Sequence, residues 1–315
     1  MPARERLHRQ LEWLRRNYAP ITPLEAVFHL ERGTLPPYSL VVTTDDARRD
    51  LLDMSDIFQE HEVPLAVFPC VGWVESNTPV DGLPSLSRVI DFMRWYQGPE
   101  QRVELVGNTV LMLDAKSVDR TIDHVISKSQ ALGPEFVASA WDVLARLPRH
   151  AKPEPPSVCN WSEITELARR GMLIGSHSVT HCRMAKCSDI RLAFELEESK
   201  RVVEAQIAPC EMFAYPFGTD DVASPRTAEA VRKAGYRCAF LSHHDFAPVH
   251  SDLCCLPRIV IPDEEWVDLG LFRAFVLGGN IPWHRAKKAI LGGHARCEQA
   301  VLAASFLSDL ADFAV

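Results

Sequence analysis

The sequence predicts an α/β fold built on a parallel sheet, and three observations carry that expectation. Short apolar runs recur at 39–44, 65–69, 172–176, 211–215, 237–241 and 258–261. Helical patterns intervene at 50–61, 161–170, 190–208 and 227–234. Residues able to do chemistry follow these runs, at the ends where parallel sheets and barrels deliver their active side chains. With 315 residues, 47% of them hydrophobic, the chain can bury a large core.

The elements follow in order. Residues 11–18 show helical spacing of apolar side chains. A second helix over 23–30 has Thr22 as N-cap and Pro23 in its first turn. The run Leu40-Val41-Val42 reads as a buried strand. Residues 84–156 interrupt the alternation, with helical patterns at 91–96, 117–130 and 134–147 and a closing Pro153-Glu154-Pro155-Pro156. This is a helical insertion that either covers core or forms a lid over a groove. After 261 the pattern changes again. Residues 264–277 and 285–291 look amphipathic, and 300–313 is strongly apolar. These are expected to be C-terminal helices packed on the sheet domain. The other reading is a homodimer surface or a membrane-edge contact through Trp283, His284, Arg285, Lys287 and Lys288. Packing is favoured because only a few basic residues are present.

Two motifs about 130 residues apart carry the chemistry: Thr43-Thr44-Asp45-Asp46 and His177-Ser178-Val179-Thr180-His181. Each follows a strand-like run. Histidines at i and i+4 share a helix face. Imidazole nitrogen with carboxylate oxygen suits zinc and its first-row neighbours. Three protein ligands leave a position for water, which a metal hydrolase needs.

The context of these motifs resembles the polysaccharide deacetylase family (carbohydrate esterase family 4, the NodB-type domain). The strand ending in Asp45-Asp46, a helix, and Val63-Pro64-Leu65-Ala66-Val67-Phe68 are similar to its first motif and following strand. His177 to His181 match its second motif in full, and Phe213-Ala214-Tyr215-Pro216-Phe217-Gly218 resembles its third. Leu256-Pro257-Arg258-Ile259 is similar to a strand in one branch of the family. The likeness spans roughly 11–261. It implies a distorted, incompletely closed (β/α)7-type barrel over 1–262, with the insertion at 84–156 and a C-terminal helical extension over 263–315.

The resemblance further implies that Asp46, His177 and His181 hold a divalent metal, zinc first, with cobalt, nickel or manganese as alternatives. Asp45 becomes the general base. Tyr215, Pro216, Phe217 and Gly218 line the substrate groove, and a backbone N–H near Tyr215 stabilises the oxyanion. Aromatic rings at Tyr215, Phe217 and Trp73 suit stacking on a pyranose. The chain departs from the family at three positions. Thr44 replaces the usual Phe, and Ala47 replaces a Gly, which is cheap only if φ is not positive there. Ala214 replaces an Arg that pairs with the base, and Arg258 is expected to supply that charge from another strand. In the branch it most resembles, a strand carrying Tyr-His, whose His serves as acid, precedes the segment matching 7–24; here either the start at Met1 is internal, another His does the job, or the activity is compromised. Among the histidines that follow the 237–241 run, His244 and His243 rank above His250 as the acid.

Composition narrows the remaining classes. A net charge of −8 argues against a nucleic-acid binder. Residues 1–16 alternate charged and apolar residues without a signal-peptide core, and no run reaches the ~18 apolar residues of a membrane span. The expected location is therefore cytoplasmic, with the inner membrane face as an option. The expected partner is an N-acylated saccharide or sugar precursor that loses acetate or formate. Nine cysteines lack framework spacing and read as free, mostly buried thiols, Cys182 and Cys187 among them. Two rival functions remain: a metal-independent amidohydrolase of the same fold, and a catalytically impaired saccharide-binding relative.

Overall fold

The structure is a computed structural model that describes residues 3–77, 86–94, 96, 100–105, 109–113, 118–132, 134–147, 158–218, 224–248, 251–261, 268–278 and 300–306. Helix α1 (Ala3–Asn17) and the two-residue β1 (Ala19–Pro20) lead to α2 (Pro23–Arg32). Thr22 and Glu25 form a capping box at the start of α2, and Gly33 closes it at φ 64°. Then come β2 (Ser39–Asp45), a 3-10 turn, α3 (Ser55–Glu60), β3 (Leu65–Phe68) and α4 (Val71–Asn77). The insertion contains α5 (Leu86–Arg94), β4 (Gln101–Leu105), β5 (Thr109–Leu113), α6 (Val118–Leu132) and α7 (Pro134–Leu144). The alternation resumes with α8 (Trp161–Arg169), β6 (Leu173–Ile174), α9 (Asp189–Gln206), β7 (Met212–Ala214), α10 (Pro225–Lys233) and β8 (Cys238–Phe240). It ends with β9 (Ala247–Pro248), β10 (Ile259–Ile261), α11 (Leu269–Val276) and β11 (Ala300–Phe306).

The principal strands run parallel in the order β10-β11-β2-β3-β6. A single parallel bridge, Ser176 to Phe213, carries the order on to the parallel pair β7-β8. A second bridge, Phe240 to Leu256, returns it to the segment just before β10. The result is a distorted, incompletely closed barrel, with isolated bridges rather than full ladders on either side of the β7-β8 pair, as expected. Small additions lie at its rim: β1 pairs with β2, and β9 runs antiparallel to β11.

Alternation along β2 decides what faces where. Leu40 and Val42 join the larger core, between sheet and helices, with Leu11, Leu14, Leu65, Val67 and Phe213. Val41 joins a second core with Ala66, Phe68, Met212, Ala214 and Phe240, plugged by Ala26, Val27 and Leu30 of α2. Period two therefore puts Thr43 and Asp45 on the inner face and Thr44 on the outer one. There Thr44 borders a cavity of about 60 Å³ with Leu7, Gln10, Leu51, Phe58 and Leu65, and its hydroxyl makes no hydrogen bond. A smaller residue than the family's Phe leaves that space.

The insertion has its own core, including Ile90, Met93, Leu111, Leu113, Ile122, Ile126, Phe136 and Leu144. Val179 and Phe194 from the barrel complete this core, so the insertion packs against the second motif.

Four expectations are corrected. The insertion holds a hairpin, β4-β5, as well as helices; Val103, Leu105, Leu111 and Leu113 alternate inward along it. The apolar segment beginning at 300 is a parallel strand between β10 and β2, not a helix, so the segment after 262 contributes to the barrel itself. A run apolar on all sides fits a buried parallel strand as well as a buried helix. Residues 177–181 form an irregular loop, not a helix, with Ser178 at φ 65° and His181 at φ 52°. Ala47 does take positive φ, 50°, directly after Asp46 at 64°. His250, the 285–291 pattern, the residues from Trp283 to Lys288 and 307–313 lie outside the described residues.

Gly175 links this packing to the second motif. A Cβ there would sit 2.4 Å from Cε1 of the fully buried Phe68 and 2.9 Å from the Met212 carbonyl oxygen. Gly175→Ala should therefore cost about 1–3 kcal/mol of stability through overpacking. Urea denaturation checks this, and an unchanged midpoint would show that Phe68 turns away freely.

Candidate metal centre

Three chain segments converge at the C-terminal mouth of the barrel. β2 delivers Asp45 and Asp46, the loop after β6 delivers His177 and His181, and the loop after β7 delivers Phe217. Asp46, His177 and His181 are all buried, and one ligand atom from each lies within 4.8 Å of the others. Asp46 Oδ1 stands 3.7 Å from His177 Nε2 and 3.7 Å from His181 Nε2. Two donors bound to one zinc at tetrahedral angles lie roughly 3.3–3.6 Å apart, so the two Asp46–imidazole distances are close to those of a shared cation.

The histidines are oriented for that role. His177 Nδ1 donates to the Ala214 carbonyl at 2.8 Å. This fixes the tautomer and leaves Nε2, which is buried and makes no hydrogen bond, with its lone pair toward Asp46. Trp73 of α4 stacks on the His181 ring at 4.8 Å, and the Phe217 edge packs on it at 4.8 Å. The Arg183 guanidinium covers the Phe217 ring at 4.4 Å. An imidazole–imidazole–carboxylate set of this kind suits zinc and its neighbours, so the residues present fit a divalent metal.

Asp45 is held differently. Arg258 Nη1 and Nη2 donate to its two oxygens at 2.8 and 2.7 Å, a bidentate fork. Arg258 also donates to Thr43 Oγ1, the Leu241 carbonyl and Ser242 Oγ, and is fully buried. Burial alone would push the Asp45 carboxyl up. The Arg258 charge, then His177, then the Arg258 hydrogen bonds outweigh it and hold the carboxyl below its ordinary value. In this structure the guanidinium that pairs with Asp45 is that of Arg258, not a side chain at position 214.

The 215–218 segment departs from expectation. The Tyr215 ring is fully buried beside Phe213 in the sheet–helix core, and its hydroxyl donates to the Cys254 carbonyl at 3.0 Å. Its N–H is taken by the Phe240 carbonyl at 2.9 Å. Tyr215 therefore supplies neither a stacking ring nor an oxyanion donor, because strand parity turns it away from the mouth. Pro216 is buried as well. Phe217, at φ 63°, is the residue that reaches His181. Gly218 is required: at φ 48°, a Cβ would lie 2.1 Å from the Ser242 nitrogen. His244 is half-buried beside β10, where its Nδ1 accepts the Val260 N–H at 3.3 Å, and burial followed by His243 lowers its pKa.

One group escaped the sequence reading. Glu195 of α9 is fully buried and grips the loop between the two histidines. The Val179 and Thr180 N–H groups donate to its Oε2 at 2.8 and 2.9 Å, and Thr180 Oγ1 donates to its Oε1 at 2.6 Å. Arg191, one turn earlier, donates to Glu195 Oε1 at 2.7 Å and to Thr180 Oγ1 at 2.8 Å. The i,i+4 spacing of Arg191 and Glu195 was the available signal, but surface helices share it.

A model of the polysaccharide deacetylase family matches residues 32–239. Comparison with curated proteins gives no match. Among solved structures, the chain is similar to the Streptococcus pyogenes deacetylase PplD in complex with acetate. The identity is 15% and the TM-score 0.53, over 82% of this chain and 80% of that one. It is also similar to a de-N-acetylase from Aggregatibacter actinomycetemcomitans, at 13% identity and TM-score 0.50, over 84% and 86% of the two chains. At these identities the likeness shows a shared fold.

The Glu195 clamp should be costly to break. Glu195→Gln leaves Arg191 as a buried, uncompensated cation and should lose about 3–5 kcal/mol in denaturant unfolding. A loss below about 1 kcal/mol, the scale of an exposed pair, would show that the clamp is dispensable.

Proposed function

Because the chain belongs to the polysaccharide deacetylase family, shown by the match over 32–239, we propose that it is a metal-dependent hydrolase. It removes an N-acetyl or N-formyl group from an amino sugar in a saccharide or saccharide precursor. The observation that carries this is the meeting of Asp46, His177 and His181 beside the separately paired Asp45. The convergence of all four residues on one barrel mouth counts against a metal-independent amidohydrolase.

Asp46, His177 and His181 would hold the cation, most simply zinc. Once bound, such an ion polarises the amide carbonyl and makes water acidic enough to deprotonate near neutral pH. Asp45 takes the proton as water attacks. Arg258 keeps that carboxylate ionised and aimed, at the expense of some basicity. The Phe217 N–H, which donates no hydrogen bond among the described residues, is the backbone donor for the oxyanion. It replaces the Tyr215 N–H, which the β7-β8 ladder consumes. His244 is the proposed acid for the leaving amine. With Nδ1 accepting from the Val260 N–H, its exchangeable proton sits on Nε2 when the ring is neutral.

Trp73 and Phe217 flank His181 and offer apolar edges to a sugar ring. Among the described residues no helix is long and apolar enough to cross a membrane, so no anchoring role is assigned to them.

A panel of N-acetylated saccharide precursors, supplemented with zinc, cobalt, nickel or manganese and assayed for acetate, tests the reading. Asp45→Asn should lower turnover about 10²–10⁴-fold while the bound metal stays. His181→Ala should lose metal and activity together. Undiminished turnover in Asp45→Asn would remove Asp45 as the base. Saccharide binding with no acetate released under any metal would favour the impaired, sugar-binding relative.

A further inference from the structure

We propose that Cys182 and Cys187 form a thiol–disulfide site whose oxidation loosens the metal ligand His181. The two Sγ atoms lie 3.3 Å apart, closer than an ordinary van der Waals contact between sulfurs. The backbone brings them together. Cys182 and Cys187 flank a 3-10 turn, Met184–Lys186, and the Cys187 N–H returns to the Met184 carbonyl at 3.2 Å. Closing the bond shortens this separation to about 2.05 Å, a shift of a size that side-chain rotation within one turn supplies. Cys187 Sγ also lies 3.6 Å from the Arg183 carbonyl and Cys182 Sγ 3.7 Å from Met184 Sδ, both farther than the two sulfurs are from each other.

The two thiols differ in access. Cys182 is buried in the sheet–helix core, whereas Cys187 is only half-buried. Cys187 is therefore the attacking thiol and Cys182 the resolving one. The oxidant class is a peroxide. The Cys187 sulfur attacks one peroxide oxygen, the O–O bond breaks, and Cys187 becomes a sulfenic acid as one water leaves. The Cys182 sulfur then displaces the sulfenic hydroxyl, the S–S bond forms, and a second water leaves. Two thiols give up two protons and two electrons, and one hydrogen peroxide becomes two waters.

The consequence for the metal centre rests on the hydrolase reading above. Cys182 follows His181 directly, and His181 sits at φ 52° with its N–H donating to Ser178 Oγ at 3.0 Å. Upstream of His181 the Glu195 clamp fixes Val179 and Thr180. Downstream, the Cys182–Cys187 pair is the next tie. Contraction there pulls on His181 from the side the clamp does not hold. Oxidation thus acts on ligand geometry without entering the cation's coordination.

The test uses the full chain, loaded with zinc, freed of excess metal and treated with one equivalent of hydrogen peroxide. Intact mass, an unreduced peptide map and zinc affinity by competition are then read. The expected result is loss of two hydrogens, a peptide joining Cys182 to Cys187, and full reversal by dithiothreitol. Two of the nine thiols should disappear, and Cys187→Ser should stay uncross-linked at the same dose. Zinc affinity should fall about tenfold or more in the oxidised protein and recover on reduction. A lone over-oxidised Cys187, a cross-link elsewhere, or no reaction at either thiol overturns the site. A disulfide that leaves zinc affinity unchanged overturns the coupling to His181. Failure of untreated protein to hold zinc overturns the metal reading and the coupling with it, while the mass of the cross-link still decides the site.

Discussion

Two consecutive carboxylates, Asp45 and Asp46, sit 5% and 3% exposed at the mouth of a barrel. Like charges this close and this dry cannot both remain ionised unless each has its own counter-charge. The fold solves the two problems separately. Asp45 receives a planar, always-charged guanidinium in a bidentate fork, which no lysine would reproduce. Asp46 faces two imidazoles, one of which has its tautomer set by the Ala214 carbonyl so that its free nitrogen is an acceptor. Two imidazole nitrogens and a carboxylate oxygen aimed at one another form a donor set for a cation. Burial therefore gives the two aspartates different partners, a guanidinium for Asp45 and two imidazoles for Asp46.

Such a site has to be held open against backbone preference. Asp46, Ala47, Ser178, His181 and Phe217 all have positive φ, and all lie in the three loops that meet at the mouth. Left-handed geometry costs a non-glycine residue about 1–2 kcal/mol. Strain of this kind persists only where the surroundings over-determine it. The surroundings are identifiable here. Cys159 N–H bonds to the Ala47 carbonyl at 2.9 Å and holds the first turn. Glu195 and Arg191 hold the second, and Gly218 permits the contact with Ser242 that holds the third. Val179 adds a tie to the insertion by packing in its core. The insertion thus bears on the histidine loop from behind, whatever it does at the groove.

What could be seen in the sequence was mostly local. The strand–helix alternation and the α2 cap rest on side chains within a few residues of one another, and they emerge in place. The Asp and His motifs are short and end strands, so their convergence followed from the fold class. The misreadings share a different character. The 177–181 spacing satisfies a helix and a curled loop alike, and the loop is selected by groups outside the motif, among them Glu195 and the Val71 and Gly72 N–H groups. The segment from 300 is apolar in every direction because it lies between β10 and β2, a placement that its own residues do not state. The β4-β5 hairpin was within reach: Val103, Leu105, Leu111 and Leu113 alternate around Gly107-Asn108. Tyr215 was also within reach, since it shares parity with Phe213 and not with Ala214.

The exchange at Ala214 shows what a barrel interior constrains. The expected arginine on β7 is gone, and a short side chain stands there fully buried. Its charge arrives instead from Arg258, immediately before β10, beside the face of Phe240 at 6.0 Å. From there the guanidinium reaches Thr43 and Asp45 across the interior, while its Nε satisfies the Leu241 carbonyl. Inward positions of neighbouring strands aim at the same small volume, so a long arginine can serve that volume from either wall. Ala214 is the register partner of Phe240 on the paired strand and brings only a methyl group to the core that it shares with Met212 and Phe240. The guanidinium that pairs with Asp45 therefore comes from the segment before β10, and position 214 is left to apolar packing.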